Sequence, residues 1–148
     1  MNPQIRPATI QHAEEIAAIL SGWIDETSWM PRIHSYEEDQ GFGEFLIRKT
    51  QVTVALEQDK VIGFLARQGD VVQALYLAPA ARGQGVGARL LNDAKGAAER
   101  LELWAFQANR EARRFYVREG FAEVAETDGA GNDEKLPDVK LVWEREGA

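Results

Sequence analysis

Apolar positions change period several times along the chain, and each change marks an element. Ile5 to Ala8 is a short extended run that predicts a first strand. Thr9 then precedes Ala13, Ile16, Ala17, Leu20 and Ile24, which recur at helical spacing, with Glu14 and Glu15 near the start. That pattern predicts an amphipathic helix capped by Thr9, with acids at the positive end of its dipole. Ser28 to Ser35 reads as a loop broken by Pro31, and Tyr36 to Arg48 as a second helix that Gly41 and Gly43 weaken. The period then shortens. Runs at 52–56, 61–67 and 71–77 predict three strands, with turns at Gln58-Asp59 and Gln68-Gly69-Asp70, in an antiparallel meander. Val86, Leu90, Leu91, Ala94, Ala98 and Leu101 restore a helical stripe. Glu102 to Ala105 reads as a strand, and Asn109 to Glu119 as a short helix stopped by Gly120. Two strands, 121–126 and 139–144, close the pattern around a polar loop from Thr127 to Pro137. Without a repeat or linker, residues 1–148 read as a single domain, an α+β sandwich on one central sheet.

Composition acts mainly by exclusion. An apolar content of 45% and four tryptophans support a packed core, and a charged fraction of 28% without low-complexity runs argues against disorder. The chain has no cysteine, which removes disulfides, thiolate nucleophiles and cysteine metal sites. Only His12 and His34 remain as histidines, so no metal is expected. The net charge is −7, and Arg110, Arg113, Arg114 and Arg118 sit among acids, so no nucleic-acid partner is expected. No apolar run reaches membrane-spanning length, and the segment Met1 to Arg6 lacks the apolar centre of a signal peptide. The expectation is a cytoplasmic protein with no membrane partner.

The candidate chemistry centres on Arg82-Gly83-Gln84-Gly85-Val86-Gly87-Ala88, between the strand ending at Leu77 and a helix that begins inside the motif. Glycine lets backbone approach a ligand closely, and the first amides of a helix present unpaired donors at the positive end of the dipole. Such a turn is suited to a phosphate. It is not a Walker loop, because Gly87 is followed by Ala88 and Arg89 rather than by Lys and Ser or Thr. A dinucleotide fingerprint fits Gly83, Gly85 and Ala88. However, its ribose-binding acid should end the next strand, whereas Glu102 starts it, and a meander precedes the motif.

A third ligand is coenzyme A, and here the sequence resembles the GNAT superfamily of N-acetyltransferases. Arg82, Gly85 and Gly87 match that family's acetyl-CoA motif, and Leu75-Tyr76-Leu77 before Ala78-Pro79 resembles its preceding strand. Downstream, Asn109, Ala112, Phe115 and Tyr116 match the family's Asn-x-x-Ala-x-x-Phe-Tyr helix, followed by Gly120-Phe121. The resemblance implies a GNAT fold, a mixed sheet of about six to seven strands flanked by about four helices. It implies an acetyl-CoA-dependent N-acetyltransferase in which a primary amine attacks the thioester directly in a ternary complex. The alternative is a non-catalytic acyl-CoA-binding or regulatory domain.

Residue by residue, the resemblance implies that the amides of Gln84, Gly85, Val86, Gly87 and Ala88 cradle the pyrophosphate, with Gly83 a further cofactor-binding residue of the turn and Arg82 adding charge. It implies that pantetheine pairs with the backbone of Leu75, Tyr76 and Leu77, splayed from the strand at Glu102 to Ala105, and that a backbone N–H near Leu75 polarises the thioester carbonyl. Asn109 would bond pantetheine or cap its helix, Ala112 would leave room for the cofactor, and Phe115 completes the motif. Tyr116 would protonate the departing thiolate; read as residues alone, it is equally a core tyrosine beside Phe115. Where many relatives carry a base, this chain has Gln73 and Ala74. The substrate wall is expected in the loop holding Trp29, Met30 and His34, with His34 either a base or a local hydrogen-bonding residue. The partner is a small-molecule or peptide amine, and family habit admits a homodimer.

Overall fold

The computed structural model describes residues 2–146, apart from the side chain of Tyr36. Its elements are β1 (Gln4–Pro7), α1 (Ala13–Glu26), α2 (Tyr36–Lys49), β2 (Gln51–Glu57), β3 (Lys60–Gln68), β4 (Val71–Leu77), α3 (Val86–Gly96), β5 (Arg100–Phe106), α4 (Arg110–Arg118), β6 (Ala122–Thr127) and β7 (Asp138–Glu144). The strands form one seven-stranded sheet in the order β1-β2-β3-β4-β5-β7-β6. The meander β2-β3-β4 is antiparallel, as its short polar turns require. Two boundaries differ from the sequence expectation. Thr9 does not cap α1, whose N-cap is His12, because a 3-10 turn over Ile10–His12 intervenes. Leu101 fits the helical stripe by spacing, but α3 ends at Gly96 and Leu101 lies inside β5. Its apolar side chain serves the same core from a strand.

Two packed layers cover opposite faces of the sheet. On one face, Ile16 of α1 and Leu46 of α2 pack against Val54, Phe64 and Ala66. On the other, Leu90 and Leu91 of α3 and Tyr116 of α4 pack against Leu65, Leu103 and Leu141. The central strand β3 is buried at six consecutive positions because both its faces are covered, which is why its sequence is apolar without alternation. By contrast, β6 lies at the sheet edge and is exposed at every position.

The feature that shapes the site is the junction between β4 and β5. These strands are parallel neighbours, yet they pair only at Val71 and Glu102, where the Glu102 N–H donates to the Asp70 carbonyl at 2.8 Å. Beyond that point they part, and no ladder joins them among the described residues. A strand edge inside the sheet is thereby left open to another hydrogen-bonding partner.

Candidate active site

The three glycines of the turn are not equivalent. Gly83 and Gly85 have φ of +74° and +82°, and a Cβ on either would meet no atom within 4 Å. They are needed for the left-handed backbone, and they leave open space above the turn. Gly87 has ordinary helical geometry, but a Cβ there would lie 3.4 Å from the Phe115 ring. That is ordinary van der Waals contact, so this position marks where α3 packs on α4. Gly85 is the N-cap of α3 and provides no side-chain cap, so the amides of Val86, Gly87 and Ala88 point outward without intrahelical partners. A cavity of about 490 Å³ lies over this turn, bordered by Leu75, Leu77, Gly83, Gly85, Asn109 and Tyr116.

Helix α4 forms the opposite wall. Asn109 caps it, accepting from the Ala112 N–H at 3.2 Å. At its far end the Phe121 N–H returns to the Tyr116 carbonyl at 2.9 Å, so Tyr116 sits in a closed last turn. Its ring lies edge-on to Phe115 at 5.1 Å and to Phe121 at 5.5 Å. Burial pushes the Tyr116 phenol well above its ordinary pKa of 10.0, with a smaller push from Tyr76, so it stays protonated throughout the physiological range.

On the other side of the sheet lies a second cavity of about 550 Å³, between α1, α2, the loop that joins them, and the loop before β7. Aromatic and aliphatic side chains form its walls, and Glu38, Asp133 and Glu134 line it with carboxylates. Its loop is pinned by Arg32, whose guanidinium donates to Asp39 at 2.5 Å, to Asp25 at 2.9 Å and to the Ser21 hydroxyl at 2.7 Å. Asp39 is almost fully buried, so this ion pair locks the loop onto both α1 and α2.

Trp23 of α1 and Tyr76 of β4 border both cavities and also the narrow space between the parted strands. Their rings lie 5.1 Å apart. Desolvation, with a smaller contribution from Glu134, pushes the Tyr76 phenol up to about 12. The two cavities therefore meet at the β4–β5 gap, with one wall in common.

The gap, the uncapped helix amides and the open space over Gly83 and Gly85 fit a long cofactor with a pyrophosphate and a strand-like arm. Residues 48–123 match the family model for the acetyltransferase (GNAT) domain. The chain belongs to the GNAT acetyltransferase family. It is 31% identical over 135 residues to peptidyl-lysine N-acetyltransferase YiaC of Escherichia coli, covering 87% of this chain and 90% of that protein. It is 25% identical over 140 residues to peptidyl-lysine N-acetyltransferase YjaB of Salmonella typhimurium, covering 94% and 97%. The solution structure of apo YjaB from E. coli superimposes with a TM-score of 0.80 at 25% identity, covering 97% of this chain and 98% of that one. The structure of YncA from Salmonella typhimurium, described with its cofactor acetyl-CoA, has the same fold with a TM-score of 0.72 at 20% identity, covering 97% and 94%. This GNAT protein is an acetyl-CoA-dependent N-acetyltransferase, and the non-catalytic alternative is set aside.

The GNAT fold places the expected residues unevenly. Leu75, Tyr76, Leu77, Arg82, Gly83, Gly85, Gly87, Ala88, Asn109, Ala112, Phe115 and Tyr116 all border the cavity over the glycine turn. The Val86 side chain is buried in the core, and the Gln84 side chain turns back to donate to the Ala80 carbonyl at 2.8 Å, so neither side chain borders that cavity. Arg82 is tied to Glu26 of α1 at 2.5 Å. Glu102, the acid misplaced for a dinucleotide, is held by Arg100 at 3.0 Å and Lys140 at 2.9 Å. Met30 and His34 border the second cavity. Trp29 does not: it packs between Trp23 and Phe106, at 5.8 and 5.7 Å, beside a separate hollow with Arg82 and Asn109. His34 is half exposed, and its Nδ1 lies 3.3 Å from Glu38, so it serves the start of α2 locally.

The sequence reading missed Trp23, the side chain of Tyr76, Trp104 and Glu134. Trp23 continues the stripe of Ile16 and Leu20, so its inward direction was readable. Glu134 sits in a polar loop with no periodic signal. Among the described residues, no group of three or more His, Cys, Asp or Glu is placed to hold a metal ion, and no helix is long and apolar enough to cross a membrane.

Proposed function

We propose that this enzyme acetylates the side-chain amine of a lysine within a peptide or protein, by direct attack in a ternary complex. The meeting of the two cavities at the β4–β5 gap, with Trp23 and Tyr76 in both, carries this reading. The two relatives named as peptidyl-lysine N-acetyltransferases, each aligned over most of this chain, support the choice of lysine.

Acetyl-CoA supplies an acetyl group activated as a thioester. The amides from Gly83 to Ala88 hold its phosphates, and the open edge of β4 from Leu75 to Leu77 takes its pantetheine arm as an added strand. A backbone N–H near Leu75 donates to the thioester carbonyl and stabilises the charge that develops there. Asn109 fixes the start of α4, Ala112 leaves room beside the arm, and Phe115 holds α4 against Gly87. Trp23 and Tyr76 keep water from the gap. Tyr116, held as a neutral phenol, donates to the leaving sulfur. The same dry surroundings raise the basicity of the thiolate, which brings donor and acceptor closer in proton affinity. Met30 and His34 border the acceptor, and Trp29 closes the space between α1 and β5. No carboxylate or imidazole stands at Gln73 or Ala74, so the amine's proton leaves on the acceptor-cavity side of the gap, to water or to a residue of another element. Residues 1–148 act as a single domain, and the enzyme works in the cytoplasm.

The test is initial-rate kinetics with a lysine peptide, following free thiol and acetylated peptide together. Intersecting double-reciprocal lines and equal yields of the two products are expected. Parallel lines, or an acetylated enzyme formed without peptide, would refute direct transfer.

A further inference from the structure

Large apolar side chains left exposed on this molecule are concentrated at one place. Among the described residues they are Ile10, Ile33, Phe42, Phe45, Trp104, Val117 and Val124. Ile33, Phe42, Phe45 and Trp104 all border the acceptor cavity. The reason lies in the layers. Helices α1 and α2 cover β2 to β4, and their cover stops short of β5. Trp104, which points to that face, stays 48% exposed on an interior strand. Phe42 and Phe45 stack on each other at 6.1 Å on the outer side of α2, with Phe45 52% exposed. An exposed apolar group of this size around a cavity mouth marks a contact surface.

The charge around that surface is predominantly negative. Glu38, Asp133 and Glu134 border the cavity, and the single arginine among its lining residues is engaged by Asp25 and Asp39. A cationic lysine is attracted by this field, and an acidic neighbour is repelled.

The geometry points to an acceptor specificity: a lysine with a large apolar or aromatic side chain beside it and no acidic residue next to it. This inference rests on the peptidyl-lysine reading above and names the sequence context that the same site selects. The apolar neighbour packs against Trp104 and the Phe42–Phe45 pair while the lysine enters between them toward Tyr76. An acidic neighbour would lie against Glu38, Asp133 and Glu134, while the arginine in the lining is already engaged by Asp25 and Asp39.

Three lysine peptides test this, identical except for phenylalanine, glycine or glutamate beside the lysine, with kcat/KM read from thiol release. The phenylalanine peptide is expected to exceed the glycine peptide by about tenfold, the scale of one well-packed apolar group, and the glutamate peptide to fall about tenfold below it. Trp104→Ala and Phe45→Ala, both at exposed positions, should each shrink the phenylalanine-to-glycine ratio to about twofold. Glu134→Lys should raise the glutamate peptide relative to glycine. Equal rates for all three peptides would overturn the inference and leave the lysine reading standing. Transfer to none of them would overturn both. Sedimentation decides against a rival occupant, a second copy of the chain. A dimer that Trp104→Ala dissociates while the peptide ratio survives would overturn the inference.

Discussion

The two sides of the sheet are built by different means. On the α3–α4 side, a ligand surface is made from backbone: positive φ at Gly83 and Gly85, uncapped amides at the start of α3, and an open edge on β4. On the α1–α2 side it is made from side chains gathered from distant segments, with Trp23, Phe45, Tyr76, Trp104 and Glu134 around one cavity. Backbone chemistry demands particular residues at particular spacings and leaves a motif. Side chains gathered from distant segments leave none. On the proposed assignment, the donor is therefore legible in a short stretch of sequence, while the acceptor is set by tertiary packing.

The largest expected effect breaks the chemistry where the two sides meet. Tyr116→Phe should lower kcat by about 100-fold while the KM for acetyl-CoA changes little, since a positioned proton donor is worth at least that much. Unchanged turnover would return Tyr116 to the core. Next, Gly85→Val should weaken acetyl-CoA binding by about thirtyfold in titration calorimetry, because a β-branched residue resists the +82° backbone that the turn requires. Its effect on the acceptor should appear only through loss of the donor.

Arg32→Met makes the converse change. It leaves Asp39 buried without its cation and frees the loop from α1 and α2, so acceptor KM should rise by about tenfold with acetyl-CoA affinity within about twofold of wild type. Equal losses in both substrates would show that the two halves are not separable. The smallest effect is alkaline. The Tyr76 phenol is raised in the folded protein to about 12 from its ordinary 10.0, so the unfolded chain loses that proton more readily. Stability from this group is therefore full below about pH 10 and declines as pH rises towards 12. In Tyr76→Phe the fall in Tm over that window should be shallower by a few degrees.

Much of the fold was legible because its elements carry strong periods. The meander and α2 lie within a residue of their predicted bounds, and Gly120 follows α4 as expected, whereas α1 starts only at Ala13 because a 3-10 turn over Ile10–His12 separates it from Thr9. Leu101 was read into the preceding helix, since a single leucine at helical spacing cannot show that the chain has already turned through Gly96. In the site, the glycine turn and the α4 motif were read with their positions. On the α1–α2 side the expected residues are divided between two hollows. Met30 and His34 do border its cavity, but Trp29 faces another hollow, and neither Trp104 nor Glu134 was foreseen. Trp104 becomes exposed only because α1 and α2 stop short of β5, a fact of packing that no local pattern states.

The most direct test of the account is a crystal structure with a bisubstrate ligand, coenzyme A joined through an acetyl bridge to the side-chain nitrogen of a lysine peptide. The account predicts phosphates on the amides from Gly83 to Ala88, the pantetheine arm between β4 and β5, sulfur beside the Tyr116 hydroxyl, and the lysine running past Trp23 and Tyr76 into the cavity bordered by Phe45 and Trp104. A peptide leaving instead through the hollow beside Trp29 and Arg82, or a pantetheine arm outside the β4–β5 gap, would contradict it.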